Sequence, residues 1–464
     1  MTSVHAEEIN LPNIGSSAAG ILQAEEESTG EAVIRNIRRA GGLIDDPLLI
    51  NYLNSVGFKL ISSRPETGTN FHFYLINDNT INAFALPGGY IGVNYGLFLT
   101  AESEDELASV IAHEIAHVTQ RHHARYSDRG NTNIPVVAAI IAAMILGSQD
   151  SEIGEAVFAS AAGITAQQQL NFSRGNEQEA DNIGIALLSA AGFNPASMAR
   201  FFEQLDKKSR LYGSQAPEFL QTHPVTVSRI AGAQNRAENL PKKSPVDQAA
   251  YLLMRTRILV MTHNAPEKLI AEFESQLTST RSDIAQAARY GLVLIHLKTG
   301  NLARAQALLQ PLLNSANIKL PFILAQADIY KELKQTKTAQ NYFQRYLDLY
   351  PSNSALIYGY ARFLLAEKKF YPARELLRKF YRDGEKAPEL FQYLSMAEAG
   401  LGNQIAAYEA LSEHYYLIGH TPQAITQLQI ALKHKEKIDF LQMSRIEARL
   451  IELQDELALI KQAR

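Results

Sequence analysis

Ser103 to His123 reads S-E-D-E-L-A-S-V-I-A-H-E-I-A-H-V-T-Q-R-H-H, and the rest of the chain is interpreted outward from this stretch. Ser103, with Glu106 three residues on, forms a capping box that predicts a helix start. Leu107, Val110, Ile111, Ala116 and Val118 supply an apolar stripe, so the helix is expected to be largely buried. His113 and His117 then lie one turn apart on one face, about 40° apart around the axis. Two imidazoles so placed can hold one Zn²⁺, with Glu114 beside them as a general base toward water. The alternative is a buried helix that carries two histidines by chance. A third ligand from elsewhere in the chain decides between them.

The chain has 464 residues, enough for two or three domains, each with its own core. Its 46% apolar and 20% charged composition is that of an ordinary soluble protein, and a net charge of −4 gives no reason to expect nucleic acid as a partner. There is no cysteine, so any zinc must sit on histidine and carboxylate. Val4 and Ala6 fit the small-residue rule at the end of a signal peptide, with cleavage before Glu7. The charged and apolar regions that precede such a site are missing, so the expectation is a trimmed export signal restarted at Met1. A disordered cytoplasmic N-terminus is the other reading.

In chain order, residues 1–30 read as a signal remnant and a loose Gly/Ser/Glu-rich arm. Helices are expected around Glu31–Arg39 and Asp46–Val56, the second with Pro47 near its start. Phe71–Ile76, Ile81–Leu86 and Tyr90–Val93 read as short strands punctuated by Asn77-Asp78-Asn79 and Pro87-Gly88-Gly89. An extended edge beside the histidine helix could take a peptide substrate as an added strand, or could simply support the helix. Ile134–Leu146 is apolar but too short to span a bilayer, which needs about 20 residues. With the Ala-rich Glu152–Gln168 it makes a lid-like insertion at about 130–170 that could cover the site or touch a membrane surface. Beyond about Ser244 the pattern changes. Ala271, Ala305, Ala339, Ala373 and Ala407 fall 34 residues apart, and Ala327 and Ala361 form a second register. That period, with small residues where helices cross, is the tetratricopeptide signature and predicts a concave binding surface. The step then halves to Ala424, as if one helix served two successive pairs.

Two candidates compete for the third ligand. His123 would need a glycine to break the helix and swing it back, but Gln120 holds that place, so His122 and His123 read as solvated or packing residues. Glu177 and Asp181, four apart on one helical face, fit better. One carboxylate can bind zinc while the other accepts a ring N–H from a ligand histidine. Glu179 faces elsewhere. The alternative, that these acids only complement a helix N-terminus, would prevail without the first motif.

H-E-I-A-H at His113–His117 followed by N-E-Q-E-A-D at Asn176–Asp181 resembles the HtpX and CAAX-prenyl-protease class of zinc metallopeptidases, whose second motif is E-x-x-A-D. N-A-F-A at Asn82–Ala85 and T-H-P-x-x-x-x-R-I at Thr222–Ile230 match that class too. The resemblance implies one Zn²⁺ per chain on His113, His117 and Glu177, with Glu114 as general base and Asp181 as the supporting acid. His223 is expected near the metal. It could steady an oxyanion, fill the open zinc position and hold the enzyme latent, or only fix the turn before Pro224. Arg229 is expected to pair with a carboxylate that the sequence does not name.

The fold class expected is α+β, mostly α. A zincin-like (gluzincin) domain with a small β-sheet occupies 31–243, and an α-solenoid of tetratricopeptide repeats occupies 244–464. With the repeat array and the exported N-terminus, the resemblance implies a periplasmic endopeptidase with chaperone-like action on unfolded or misassembled outer-membrane β-barrel proteins. It would contact the barrel-assembly machinery through the array and possess at most peripheral membrane contact. A scaffold or chaperone with a latent peptidase site is the rival reading.

Overall fold

Most helices start where local signals place them. The computed structural model describes residues 16–63, 69–120, 174–212, 217–241, 247–314, 318–434 and 439–462. The first helix, α1 (Ser16–Arg39), leads to α2 (Pro47–Ile61), which Asp46 caps by accepting from the Leu48 and Leu49 amides. Residues 16–30, expected to be loose, are helical. The cause is tertiary: the Glu26–Glu27 backbone lies against Gly88, so closely that a Cβ there would sit 2.5 Å from Glu27 Cα. Val33, Ile34 and Ile37 on the same helix pack on Ile76, Leu86 and Tyr90.

The three strands are β1 (His72–Ile76), β2 (Ala83–Leu86) and β3 (Tyr90–Asn94). Their order is β1-β3-β2, with β1 parallel to β3 (His72 opposite Tyr90) and β2 antiparallel to it (Ala83 opposite Val93). After the short α3 (Tyr95–Thr100) comes the histidine helix α4 (Glu104–Thr119), buried from Asp105 to His117. Ser103 caps it by accepting from the Glu106 amide, while the Glu106 carboxylate reaches back one residue further than a capping box requires, to the Glu102 amide. Then follow α5 (Arg174–Ala190), α6 (Ser197–Tyr212), the single turn α7 (Phe219–Thr222) and α8 (Val227–Glu238).

The remaining helices stack in succession: α9 (Ala249–Thr262), α10 (Ile270–Gln276), α11 (Ser282–Lys298), α12 (Leu302–Leu313), α13 (Leu320–Glu332), α14 (Thr336–Leu349), α15 (Ser354–Ala366), α16 (Phe370–Arg382), α17 (Pro388–Gly400), α18 (Gln404–Leu417), α19 (Thr421–Leu432) and α20 (Phe440–Gln462). Ala305, Ala339, Ala373, Ala407, Ala327 and Ala361 are all buried, as close helix crossings require. Ala271 departs from the series. It is exposed, on a seven-residue helix that follows a 3₁₀ turn. The turns repeat as well: Gly300, Lys334, Lys368 and Gly402, again 34 apart, each take a positive φ. α18 packs on both α17 and α19, so the halved step to Ala424 reflects one helix shared by two pairs. The architecture is mostly helical α+β.

One hydrophobic core runs without interruption from Leu48 to Ala355. Polar bolts cross the same junction. Arg257 on α9 holds Asp46 at 2.9 and 2.6 Å and the Tyr290 hydroxyl at 3.1 Å. The far end of the helical stack returns to α1, where Arg35 meets Glu456 at 2.7 Å and lies 4.1 Å over the Tyr416 ring. Arg38 donates to the Leu417 carbonyl. Among the described residues, no helix is long and apolar enough to cross a membrane. The expected cleavage site before Glu7, His122 and His123, and the insertion at 130–170 lie outside the described residues.

Candidate metal centre

Two helices and one tight turn supply every side chain of the site. α4 presents His113 and His117 from one face, and Glu114 from the flank. α5 brings Glu177 and Asp181 to the same place, and it can do so because Gly184 has no side chain. A Cβ at Gly184 would meet Met198 Cε at 2.9 Å and the α4 backbone at Ala112 and His113 at 3.3 Å. The turn is set by Pro224, which disfavours helix at the residue before it. α7 therefore stops at Thr222, and His223 (φ −125°, ψ 74°) turns its ring inward while its amide donates to the Phe219 carbonyl at 2.8 Å.

The donor atoms converge. His113 Nε2 and His117 Nε2 are 3.0 Å apart, and Glu177 Oε1 is 3.3 Å from His117 Nε2 while Oε2 is 3.5 Å from His113 Nε2. His223 joins them through Nδ1, 2.9 Å from Glu177 Oε1 and 3.4 Å from His113 Nε2. One ligand atom from each of these four residues falls within 4.8 Å of all the others, and all four residues are buried. Tetrahedral bonds of about 2.0–2.1 Å place neighbouring ligand atoms roughly 3.3 Å apart. The observed separations bracket that value, so the residues fit a bound metal ion.

A second set of contacts orients the first. Asp181 Oδ1 lies 3.0 Å from His113 Nδ1, which fixes that ring with Nε2 toward the cluster. Arg229, on the first turn of α8 that Thr226 caps, donates from Nε and Nη2 to both Asp181 oxygens at 2.7 Å. Its Nη1 reaches Glu177 Oε2 and the Pro224 carbonyl at 2.8 and 2.9 Å. The guanidinium also lies over the Phe202 ring. The carboxylate partner that the sequence left unnamed for Arg229 is thus Asp181, with Glu177 as a second.

Electrostatics follow from this crowding. Burial opposes charge on His113, but its bonds to Asp181 and Glu177 outweigh burial and lift it to about 9. At His117 burial prevails and pushes the imidazole well below its ordinary value, against the pull of Glu177. Burial would raise Glu177 and Asp181, yet both are held low, the first by His223, His113 and His117 and the second by Arg229 and His113. Glu114 differs. Burial lifts its carboxyl above the ordinary range, only partly offset by His223 and His113. Its Oε1 has no hydrogen-bond partner among the described residues, and His223 Nε2 stands 3.7 Å away.

All six side chains singled out in the sequence therefore meet here: His113, Glu114, His117, Glu177, Asp181 and His223. Phe219 and Phe202 were not singled out. Phe219 stacks on His223 with ring centres 4.8 Å apart and stands edge-on to His113. Its spacing of four residues before His223 was the one sequence signal that could have marked it.

The profile of peptidase family M48 matches residues 48–237. The β-barrel assembly-enhancing protease of Escherichia coli K12 is 33% identical over 445 residues, which cover 96% of this chain and 91% of that protein. The putative β-barrel assembly-enhancing protease of Vibrio cholerae is 34% identical over 451 residues, with 96% and 92% covered. The mitochondrial metalloendopeptidase OMA1 of Schizosaccharomyces pombe is 34% identical over 179 residues, 39% of this chain and 50% of its own length. The shared profile lies over the converging donors, and the bacterial relatives match almost end to end: the chain belongs to peptidase family M48 and is a metallopeptidase.

Proposed function

We propose that the chain is a zinc endopeptidase of the cell envelope, located in the periplasm, that acts on unfolded or misassembled outer-membrane β-barrel proteins. The observation that carries the peptidase reading is the convergence of His113 Nε2, His117 Nε2 and Glu177 on one point with the Glu114 carboxylate alongside. Imidazoles plus a carboxylate, with no thiolate in the chain, suit zinc. When bound, the ion polarises a carbonyl oxygen and makes a water acidic enough to ionise near neutral pH.

The residues supply the rest. A substrate strand pairs with the outer edge of β2, which runs beside α4, and so lies across the donors. Glu114 accepts the water proton and passes it to the leaving amine nitrogen, a task suited to a carboxyl lifted by burial. Asp181 and Arg229 hold His113 and Glu177 in place. Of the readings open for His223, latency is favoured by its Nδ1 sitting among the donors, where it takes a fourth position.

The domain plan proposed is a peptidase unit over 31–243 and a tetratricopeptide array over 244–464 that grips substrates or the barrel-assembly machinery and supports a chaperone-like role. The names of the bacterial relatives and the recurring helix pairs support it. Glu114→Gln should abolish casein cleavage, by about 10³-fold or more, with metal content unchanged. Full casein cleavage in that variant would overturn the assignment. Comparing the same variant with the parent in a β-barrel assembly assay separates cleavage from the chaperone-like role.

A further inference from the structure

The chain enters β2 through Asp78-Asn79-Thr80-Ile81-Asn82, and Asp78, Thr80 and Asn82 bear side-chain oxygens at alternate positions. Calcium loops present their first ligands with that spacing. This loop is held from two sides. The Gly96 amide donates to the Asp78 carbonyl and the Phe219 amide to the Ile81 carbonyl, each at 3.0 Å. The second contact sets Glu218 against the loop, where the Thr80 and Asn82 side chains donate to its carboxylate. Asn94 stands opposite Asn82 on β3, its amide donating to the Asn82 carbonyl at 3.0 Å. Residues so opposed place their side chains next to each other on one face of the sheet. Asn94 Nδ2 donates to Thr80 Oγ1 at 2.8 Å. The carboxylates Asp78 and Glu218 and three neutral oxygen-bearing side chains thus gather at one corner of the sheet.

Two features of this corner call for a cation. Asn82 and Asn94 are only 8% and 4% exposed, and the Oδ1 atom of each is buried with no hydrogen-bond partner among the described residues. Amide nitrogen and oxygen lie about 2.3 Å apart. Both nitrogens bond within the cluster, so both oxygens border it. The second feature is the charge on Glu218. Burial, and then Asp78, raise its carboxyl, and no basic side chain is among the groups that act on it. We infer that Asp78, Thr80, Asn82, Asn94 and Glu218 form a second metal site, one that takes Ca²⁺. All the donors are oxygens, which suit Ca²⁺ and offer no imidazole to Zn²⁺. With carboxylates binding through one or two oxygens, five side chains reach the roughly six to eight ligands that Ca²⁺ accepts, whereas Mg²⁺ demands a stricter octahedron. The His113 cluster has the opposite character, so the chain sorts two metals by the softness of its donors. Bound here, the ion neutralises two acids, satisfies both amide oxygens and staples the loop before β2 to the segment at Glu218.

The test uses the full zinc-loaded chain and Ca²⁺ alone. Equilibrium dialysis should find one Ca²⁺ per chain, with a Kd of about 10⁻⁴–10⁻³ M and Mg²⁺ about tenfold weaker. Saturating Ca²⁺ should raise the melting temperature by about 2 °C. Asn94→Asp adds a third carboxylate, so it should melt below the parent without Ca²⁺ and bind Ca²⁺ about tenfold more tightly. Glu218→Gln relieves the repulsion with Asp78, so it should melt at or above the parent without Ca²⁺ and lose the ion. Tb³⁺ in place of Ca²⁺ should emit through Tyr95, whose hydroxyl is raised by burial and then by Asp78, since the chain has no tryptophan. Tyr95→Phe should remove more than half of that emission and leave Ca²⁺ binding intact. No binding by the parent at about 5 mM Ca²⁺, or binding that Glu218→Gln leaves unchanged, overturns the inference. Emission that Tyr95→Phe leaves unchanged overturns it too, by placing the ion elsewhere. Thr80→Val keeps the side-chain shape and should weaken binding several-fold should either charge variant not fold, and unchanged affinity there overturns it equally.

Discussion

Two arginines, one buried and one half-buried, do the same chemistry in different company. Arg257 meets one carboxylate, Asp46, and one hydroxyl, Tyr290, and the account closes there: charge is matched, and Asp46 still caps α2. Arg229 meets two carboxylates, Asp181 and Glu177, which also face three imidazoles and stand near a third acid, Glu114. The first cluster is complete in itself. The second holds more donors than its own hydrogen bonds can satisfy, which is how a fold keeps room for a cation. A joint is built to be finished, whereas a reactive site is built to be finished by something else.

The largest contrast should come from removing each arginine. Arg229→Met leaves Asp181 and Glu177 buried without their cation and should cost about 3–5 kcal/mol in the metal-free protein. Thermal melts with and without zinc should show part of that loss recovered by metal. Chelation comes next. Stripping the metal from the parent should lower stability by about 3 kcal/mol at metal concentrations near a hundred times Kd, and Arg257→Met should show the same metal increment as the parent. An increment that shrinks in Arg257→Met would mean the two clusters are coupled, and the contrast would fail. Arg257→Met itself should cost about 1–2 kcal/mol, since this pair is partly solvated, and should leave cleavage intact.

Each half of the histidine site was legible because it rides on helical spacing, and the need for a third ligand joined the two. Four residues separate His113 from His117 and Glu177 from Asp181, and any α-helix places such pairs on one face. Nothing in local spacing says that Arg229 chooses Asp181, that β1 lies beside β3 rather than β2, or that the Phe219 amide meets Ile81. Those pairings depend on which surfaces meet, and 138 residues separate Phe219 from Ile81 (219 − 81). The misread arm at 16–30 shows the converse. Its composition is polar, and its helix exists because Gly88 lets its backbone approach and Tyr90 covers Gly30. Ala271 kept the sequence register but not the geometry, because its helix is too short to repeat the crossing.

The smallest expected effect sits at the joint. Burial and nearby Asp45 raise Glu389 from 4.5 to about 7. Between those values the folded chain holds a proton that the unfolded chain has released, so this group's contribution falls as pH rises through that window. Glu389→Gln should therefore melt higher than the parent at pH 8, by about 1 kcal/mol after allowing for its partial exposure, and equal to it near pH 4. An equal gain at both pH values would assign the effect to packing instead.

The return of the helical stack to α1 has a consequence for how the chain is made. Arg35 finds its partner 421 residues later, at Glu456. Contacts of that separation are the slowest to form, and synthesis delivers one end long before the other. During that interval α1 has no closing contact, and the ring of helices stays open. A chain cut short before Glu456 would leave Arg35 unmatched and the Tyr416 face bare. The clasp therefore closes only after synthesis has passed Glu456.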